Sequence, residues 1–268
     1  MKASFYFPIL LIALIFSSCT KDEIRVSNRD RNMRLQEVHE IVSDVEDLIE
    51  DLDNVSGDEI DSNTNYCGSY MIEYTPSIKK VTFRFGRNGC QTSDGKKLKG
   101  TMILLYQLNT TLNYVKMIDV SFVNFSINNI KVEGFEKRNL LPGAIPELHT
   151  TTDVRIIWED NTDAIYDGEK VSKKVAGANT NNPNDDEYLV TGDLELKLRN
   201  NDEFDVLVIN PLKRKRTCEI YVSGKLKITS ENEEDAFLDY GDGNCDNQAI
   251  YTNPDGTIET ITVEENIL

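Results

Sequence analysis

Apolar residues recur at every third or fourth position near the start of the chain. The stripe consists of Leu35, Val38, Val42, Val45, Ile49 and Leu52, and acidic residues fill the opposite face. This spacing follows the 3.6-residue turn of an α-helix, so it predicts one amphipathic helix over residues 33–53. The stripe either packs on the rest of the protein or pairs with a second copy, because it also fits about two and a half heptads of a coiled coil.

From residue 67 onward apolar and polar residues alternate instead. The period of two in stretches such as Tyr70–Tyr74 is typical of strands with one buried face. Asn128-Asn129 predicts a two-residue hairpin turn, because asparagine tolerates the positive φ that such turns need. Residues 67–268 are therefore predicted to form an all-β domain of antiparallel, sandwich-like sheets. The stretch Glu159–Glu187 shows no periodicity, which predicts a long loop.

Two polar stretches lack either period. Residues 19–32 are rich in charge and are predicted to be a flexible tether, and residues 54–66 are predicted to be a linker. His39 lies among polar neighbours on the helix and is expected to be solvated. His149, in a segment with two prolines, is expected on the surface.

The first 18 residues form an apolar leader that ends in small residues and Cys19. Its strongest run, Ile9–Phe16, is far shorter than the roughly 20 residues that span a bilayer. We therefore predict a lipoprotein signal peptide over residues 1–18, cleaved so that Cys19 becomes the N-terminus and carries acyl chains such as palmitate. Those chains would hold the protein on a membrane. The alternative is an ordinary secretory leader with a chance cysteine.

Two stretches resemble known lipoproteins. Cys19-Thr20-Lys21-Asp22-Glu23 is similar to the signals of Bacteroidota lipoproteins, in which acidic residues just after the cysteine mark export to the cell surface. Leu238–Asn247, with the sequence LDYGDGNCDN, resembles a C-terminal signature of lipoproteins from the same bacteria. The likeness covers about Cys67 to Val263. It implies a lipid anchor in the outer membrane and display at the cell surface, and it implies no particular activity.

Four cysteines remain when Cys19 is set aside: Cys67, Cys90, Cys218 and Cys245. An even number in an exported chain favours disulfides, and four cysteines allow three pairings. We predict Cys67 with Cys90 and Cys218 with Cys245, because each pair flanks a predicted hairpin turn and would join two adjacent strands. A metal site is the rival interpretation, but the chain has no CxxC pair and its two histidines are distant in sequence from every cysteine.

The segments Phe85–Cys90 and Tyr240–Cys245 share a pattern. Each has an aromatic residue, a glycine, three further residues and then a cysteine, after an alternating strand. The shared pattern suggests an internal duplication into two disulfide-stapled units. Two copies cannot form an array, so the pattern does not indicate a solenoid.

Asp242, Asn244 and Asp246 occupy the first, third and fifth positions of a calcium-loop pattern. However, Asn247 stands where such a loop needs glycine, and Asn253 stands where it needs a bidentate carboxylate. A turn held by its own hydrogen bonds is therefore the preferred interpretation. Calcium is the one cofactor for which the sequence offers a candidate, and no other cofactor is predicted.

The formal net charge of -17 excludes nucleic acid as a partner, since such a field repels phosphates. The chain has no GxSxG, HExxH, Walker or dinucleotide motif, so no catalytic residue is predicted. These observations favour a binding or structural role at the envelope, with a glycan or protein ligand contacting Glu159–Glu187. Trp158 and Tyr166 either stack on a sugar or belong to the core.

A basic run, Lys213–Arg216, stands out on this acidic chain. It either docks an anionic partner, protects a strand edge or lies opposite local acids. The enzyme alternative is a secreted-type hydrolase, such as a glycosidase acting on surface polysaccharide. That alternative predicts a deep cleft lined by two carboxylates with perturbed pKa values.

Overall fold

A computed structural model describes residues 21–55, 67–108, 114–177, 180, 182–198, 202–218, 220–231 and 233–263, with helix side chains described from residue 37. In these residues one helix precedes thirteen strands, and a short 3-10 turn lies at Pro183–Asp185. The elements are α1 Lys21–Val55, β1 Ser69–Tyr74, β2 Ile78–Gln91, β3 Lys97–Gln107, β4 Lys116–Ile127, β5 Ile130–Leu141, β6 Glu147–Ile157, β7 Asp163–Ala176, β8 Glu187–Lys197, β9 Glu203–Lys215, β10 Ser223–Ser230, β11 Ala236–Asp242, β12 Gln248–Thr252 and β13 Ile258–Thr262.

The strands form a single antiparallel sheet in which each strand pairs with its neighbours in sequence. The all-β, antiparallel prediction is confirmed. The described strands make one continuous sheet, where the sequence had suggested the stacked sheets of a sandwich. The apolar stripe of α1 belongs to the same buried cluster as the inward-facing strand residues, so the helix buries part of the apolar face that a second sheet would bury in a sandwich.

The helix is longer than the apolar stripe indicated. It begins at Lys21, so residues 21–32, predicted as a tether, are helical, and it ends at Val55. No glycine or proline interrupts residues 21–55, and Lys, Glu and Arg are good helix formers even without an apolar face. No helix among the described residues is both long enough and apolar enough to cross a membrane. Residues 1–20 and 56–66 lie outside the described residues. The leader, Cys19 and most of the predicted linker fall within these two ranges.

The apolar stripe of α1 packs on the sheet. Val38, Val45, Ile49 and Leu52 belong to the same buried cluster as Phe83, Met102, Leu104, Ile156, Leu196 and Leu226 from the strands. Burial of each such side chain contributes about 1.5–3 kcal/mol. Of the two alternatives for the stripe, the structure therefore shows packing on the β domain.

The hairpin and disulfide predictions are confirmed. Asn128 and Asn129, between β4 and β5, have φ values of 49° and 69°. The disulfides pair Cys67 with Cys90 and Cys218 with Cys245, with Cα–Cα distances of 5.7 and 5.5 Å. The first joins Cys67, just before β1, to Cys90 near the end of β2. The second joins Cys218, in the segment before β10, to Cys245, in the turn after β11, and so links the two open ends of that hairpin.

The two stapled hairpins share their local geometry. Phe85 and Tyr240 are both buried. The glycines that follow them, Gly86 and Gly241, have φ values of 80° and 87°, in the left-handed region that favours glycine. This similarity agrees with the duplication hypothesis, which stays a prediction.

Removing the second disulfide, with Cys218→Ser and Cys245→Ser together, is expected to lower the free energy of unfolding by about 3 kcal/mol. The bridge closes a loop with a sequence separation of 27 residues, which restricts the unfolded chain. Urea unfolding measures the loss. The pair Cys67→Ser and Cys90→Ser, with a separation of 23, should cost a similar amount. A cost near zero for either pair would contradict a stapling role.

Candidate functional site

A cavity of about 320 Å³ lies between the C-terminal half of α1 and the strands β4 to β9. Its volume is at the lower end of the range for small-molecule sites. The sheet supplies the floor and the helix supplies one wall. The lining combines carboxylates, cations, hydroxyls and a band of aliphatic side chains. We call this space the helix–sheet cavity.

Strand register builds the floor of the helix–sheet cavity. Ile118, Arg138, Thr150 and Lys170 lie directly opposite one another on four successive strands, β4 to β7. Two residues further along, a second row contains Lys116, Leu140, Leu148, Ser172 and Val190 on β4 to β8. Residues two apart share a face of a strand, so both rows point to the same side of the sheet.

The helix wall is acidic and the sheet floor is basic. All four lining carboxylates come from α1 and all five lining cations come from the strands or the turn after β9. Glu46, Glu50 and Asp53 follow helical spacing along one face. Lys116 Nζ lies 2.6 Å from Asp53 Oδ2, and Lys170 forms an ion pair with Glu46. The charges of the two walls therefore largely neutralise each other.

A buried charge network lies beneath the cavity. Glu136 is only 1% exposed, and burial raises the pKa of its carboxyl, although the charge of Arg138 opposes the shift. Arg138 forms an ion pair with Glu136 and donates a 2.9 Å hydrogen bond to the backbone carbonyl of Glu46. Burial would also raise the pKa of Glu46, but the charges of Lys170 and Arg138 outweigh it and lower that pKa. The network ties the helix to β5 and β7.

His39 is buried, not solvated as its neighbours in sequence had suggested. Its ring makes an edge-to-face contact with Tyr166, with centroids 5.9 Å apart, and its Nε2 has no hydrogen-bond partner in the described structure. Burial, with the charge of Lys170, lowers the pKa of His39 to about 4, against an opposing effect of Glu46. The ring is therefore neutral at pH 7. It borders the stripe because Val38 and Val42 flank it on the helix surface.

The low pKa of His39 should make the free energy of unfolding depend on pH. The unfolded chain binds a proton at His39 below pH about 6.5, whereas the folded chain stays neutral until about pH 4. Protons in this window therefore favour the unfolded state, and stability is lost as the pH falls from about 6.5 to about 4. We expect the wild type to lose about 3 kcal/mol more across this window than His39→Phe, measured by urea unfolding. Parallel pH profiles for the two proteins would contradict this prediction.

Trp158 and Tyr166 belong to the core rather than to an open sugar-stacking surface. Tyr166 is buried against His39. Trp158 is half-buried and packs against the core cluster, and its Nε1 donates a 2.6 Å hydrogen bond to Glu37 Oε1 of the helix. Both rings therefore help to seat α1 on the sheet. His149 is half-buried and lies 3.2 Å from Glu147 Oε2.

The calcium candidates lie in the turn after β11. Asn244 Nδ2 donates a 2.8 Å hydrogen bond to Asp242 Oδ1, and Asp246 Oδ1 accepts one from the backbone of Gln248 at 3.2 Å. In the described part of the chain no group of three His, Cys, Asp or Glu side chains is placed to hold a metal ion. The geometry supports the hydrogen-bonded turn and gives no support to the calcium loop.

About half of the predicted loop Glu159–Glu187 is a strand. β7 occupies Asp163–Ala176 and pairs with β6 and β8 along its length. The prediction failed because Gly168, Lys170 and Ser172 on the inner face of β7 are polar or small where an ordinary strand would carry apolar residues. Two of these residues, Lys170 and Ser172, line the helix–sheet cavity. The alternation of apolar and polar residues is interrupted in β7 at positions that line the cavity.

The basic run Lys213–Arg216 lies opposite local acids, as one interpretation of the sequence held. Lys213 Nζ is 2.6 Å from Glu187 Oε2, and Arg216 Nη1 is 3.8 Å from Glu50 Oε1. Lys215 Nζ donates a 2.7 Å hydrogen bond to the Gly243 carbonyl. Arg214 and Arg216 line the helix–sheet cavity, whereas Lys213 and Lys215 do not.

Comparison of the chain with models of known families, with curated proteins and with solved structures finds no significant match.

Proposed function

We propose that this chain is a lipoprotein of the cell envelope that binds a small polar ligand in the helix–sheet cavity. Cys19 would carry the lipid that anchors it in the outer membrane, and the body would be displayed at the cell surface. The leader and the residues after Cys19 support the anchor. The two disulfides support an oxidising compartment outside the cytoplasm.

The observation that carries the binding role is the composition of the cavity. Aliphatic side chains such as Leu140, Leu148 and Val190 lie beside hydroxyls from Thr150 and Ser172 and beside charged groups. An apolar surface with a few convergent polar groups is the usual character of a small-molecule site. A glycan or another protein, the ligands suggested by the sequence, could contribute a small group to the same cavity.

Cavity filling tests the binding role. A thermal-shift screen of the native protein against monosaccharides, amino acids and organic acids should yield ligands that raise the melting temperature. Ser172→Phe places a large ring in the cavity and should abolish those shifts. Ser121→Phe is the control, because Ser121 lies on the face of β4 turned away from the cavity. This variant should retain the ligand-induced shifts in melting temperature. Equal shifts in both variants would place the ligand elsewhere.

Mass spectrometry tests the anchor. Protein extracted from membranes of the native host should begin at Cys19 and carry acyl chains. Cys19→Ala should release the protein from the membrane fraction, and external protease should digest the wild type on intact cells. Retention of residues 1–18 in the mature protein would contradict the anchor.

A hydrolase is the second candidate, and one observation favours it. Glu46 and Asp47 both line the cavity, and their pKa values move in opposite directions: burial raises the pKa of Asp47, while Lys170 and Arg138 overcome burial to lower that of Glu46. Divergent pKa values are a mark of acid–base pairs. However, adjacent residues of a helix point about 100° apart, which suits a pair flanking one bond poorly. Release of sugar from surface polysaccharide by wild type and not by Asp47→Asn would favour the enzyme.

A further inference from the structure

Arg214 differs from the other cations of the helix–sheet cavity. Lys116, Arg138, Lys170 and Arg216 each have a carboxylate partner: Asp53, Glu136, Glu46 and Glu50 respectively. Arg214 lines the same cavity, is half-buried and has no carboxylate within ion-pair distance among the described residues. Among the described residues it is therefore the one cation of the cavity without a carboxylate in direct contact, and Asp47, on the opposite wall, acts on it only at longer range.

The position of Arg214 makes its guanidinium available from the cavity. In the β8–β9 register Arg214 lies opposite Tyr188, which also lines the cavity. The charge of Arg214 acts to lower the pKa values of Glu46 and Asp47 across the cavity, although burial leaves the pKa of Asp47 raised. The charge of the guanidinium therefore acts on the carboxylates of the helix wall, although Arg214 forms no ion pair with them.

A half-buried guanidinium without a partner has a definite chemical preference. Burial of an unpaired charge costs free energy, and a ligand that supplies the opposite charge removes that cost. The planar fork of arginine matches the two oxygens of a carboxylate or a phosphate. Beside it, Val190 continues the aliphatic row of Leu148 and Leu140 across the floor.

We propose that Arg214 binds the carboxylate or phosphate of a small organic anion, whose apolar body lies over Leu140, Leu148 and Val190. This inference rests on the proposed function, since it assigns the ligand class of the same cavity. The bound anion would give Arg214 an ion-pair partner, as the other cations of the cavity already have. Thr150 and Ser172 would accept or donate hydrogen bonds to a polar group on the body.

Isothermal titration of the full-length, lipidated protein in detergent micelles tests this assignment, with titration into empty micelles as the blank. The probes are benzoate, phenyl phosphate, inorganic phosphate and the uncharged benzamide. Benzoate or phenyl phosphate should bind at least about tenfold more tightly than benzamide, as expected for charge-assisted hydrogen bonds. The two anions distinguish a carboxylate from a phosphate ligand. Inorganic phosphate should bind more weakly than phenyl phosphate, because it lacks the apolar body.

The variant Arg214→Gln should weaken binding of the preferred anion about tenfold or more. Arg155→Gln is the matched control, because Arg155 is an exposed arginine on the outer face of β6 and pairs with Asp163. It should bind the anion as the wild type does. Melting temperatures of both variants without ligand show whether the fold is retained. If Arg214→Gln lowers the melting temperature, Arg214→Lys provides a second test, because it keeps the positive charge and should retain part of the affinity for the anion.

Unchanged affinity in Arg214→Gln, affinity for benzamide equal to that for the anions, or no binding of either aromatic anion at millimolar concentration would overturn the assignment. These failures can be separated from failure of the proposed function. Neutral ligands that shift the wild type and not Ser172→Phe would leave the cavity as a binding site and reject only the anion. Shifts that persist in Ser172→Phe would reject the cavity itself.

Discussion

Arg138→Met is expected to lower the free energy of unfolding by about 3–5 kcal/mol. The substitution removes the cation from beside Glu136, which is 1% exposed and has Val132, Val154 and Ile156 around it. The carboxylate would then be buried without its ion-pair partner. Urea unfolding at pH 7 measures the loss.

A double variant separates the ion pair from the packing of its side chains. Replacing both partners, with Glu136→Leu and Arg138→Met, leaves no charge at either of these two positions, and we expect it to recover most of the loss. The hydrogen bond from Arg138 to the Glu46 carbonyl is absent in both variants, so it does not contribute to their difference. A double variant as unstable as Arg138→Met would show that the cost comes from lost packing or from that hydrogen bond.

Ile49→Ala is expected to cost about 2–5 kcal/mol, because it removes three methyl or methylene groups from a fully buried position between the helix and the sheet. The same variant should weaken any ligand of the helix–sheet cavity, since Glu46 and Glu50 of its wall lie within one turn of Ile49 on the helix. Chemical unfolding and a ligand titration measure the two effects.

Glu40→Ala provides the control on the same helix. Glu40 is exposed, and alanine favours the helix at least as well as glutamate. We expect a change within about 0.5 kcal/mol. If Ile49→Ala proved equally mild, the helix would not be seated on the sheet as the buried stripe indicates.

The helix links stability to the site. The same residues that hold α1 on the sheet, through Glu46 with Lys170 and Asp53 with Lys116, also form the wall of the cavity. A variant that loosens the helix therefore changes the shape of the site. For this reason binding data on core variants have to be compared with their stability before a contact is assigned to the ligand.

Local patterns in the sequence determined most of the strands other than β7, the hairpin at Asn128-Asn129 and the cysteine pairs. Each depends on residues close along the chain or on adjacent strands, so periodicity and turn chemistry are sufficient. The apolar stripe of the helix was predictable in the same way. The helix start at Lys21 was not, because a polar helix without a stripe leaves no periodic signal.

Only the tertiary structure decided how these parts meet. One sheet with the helix on its apolar face, the buried His39 and the strand β7 all depend on contacts between residues distant in sequence. The cavity has the same origin: register aligns Arg138, Thr150 and Lys170 across three strands, and the helix sets Glu46 against them. A charge in the sequence shows no sign of whether water or an opposite charge will surround it, because that environment exists only after the chain has folded.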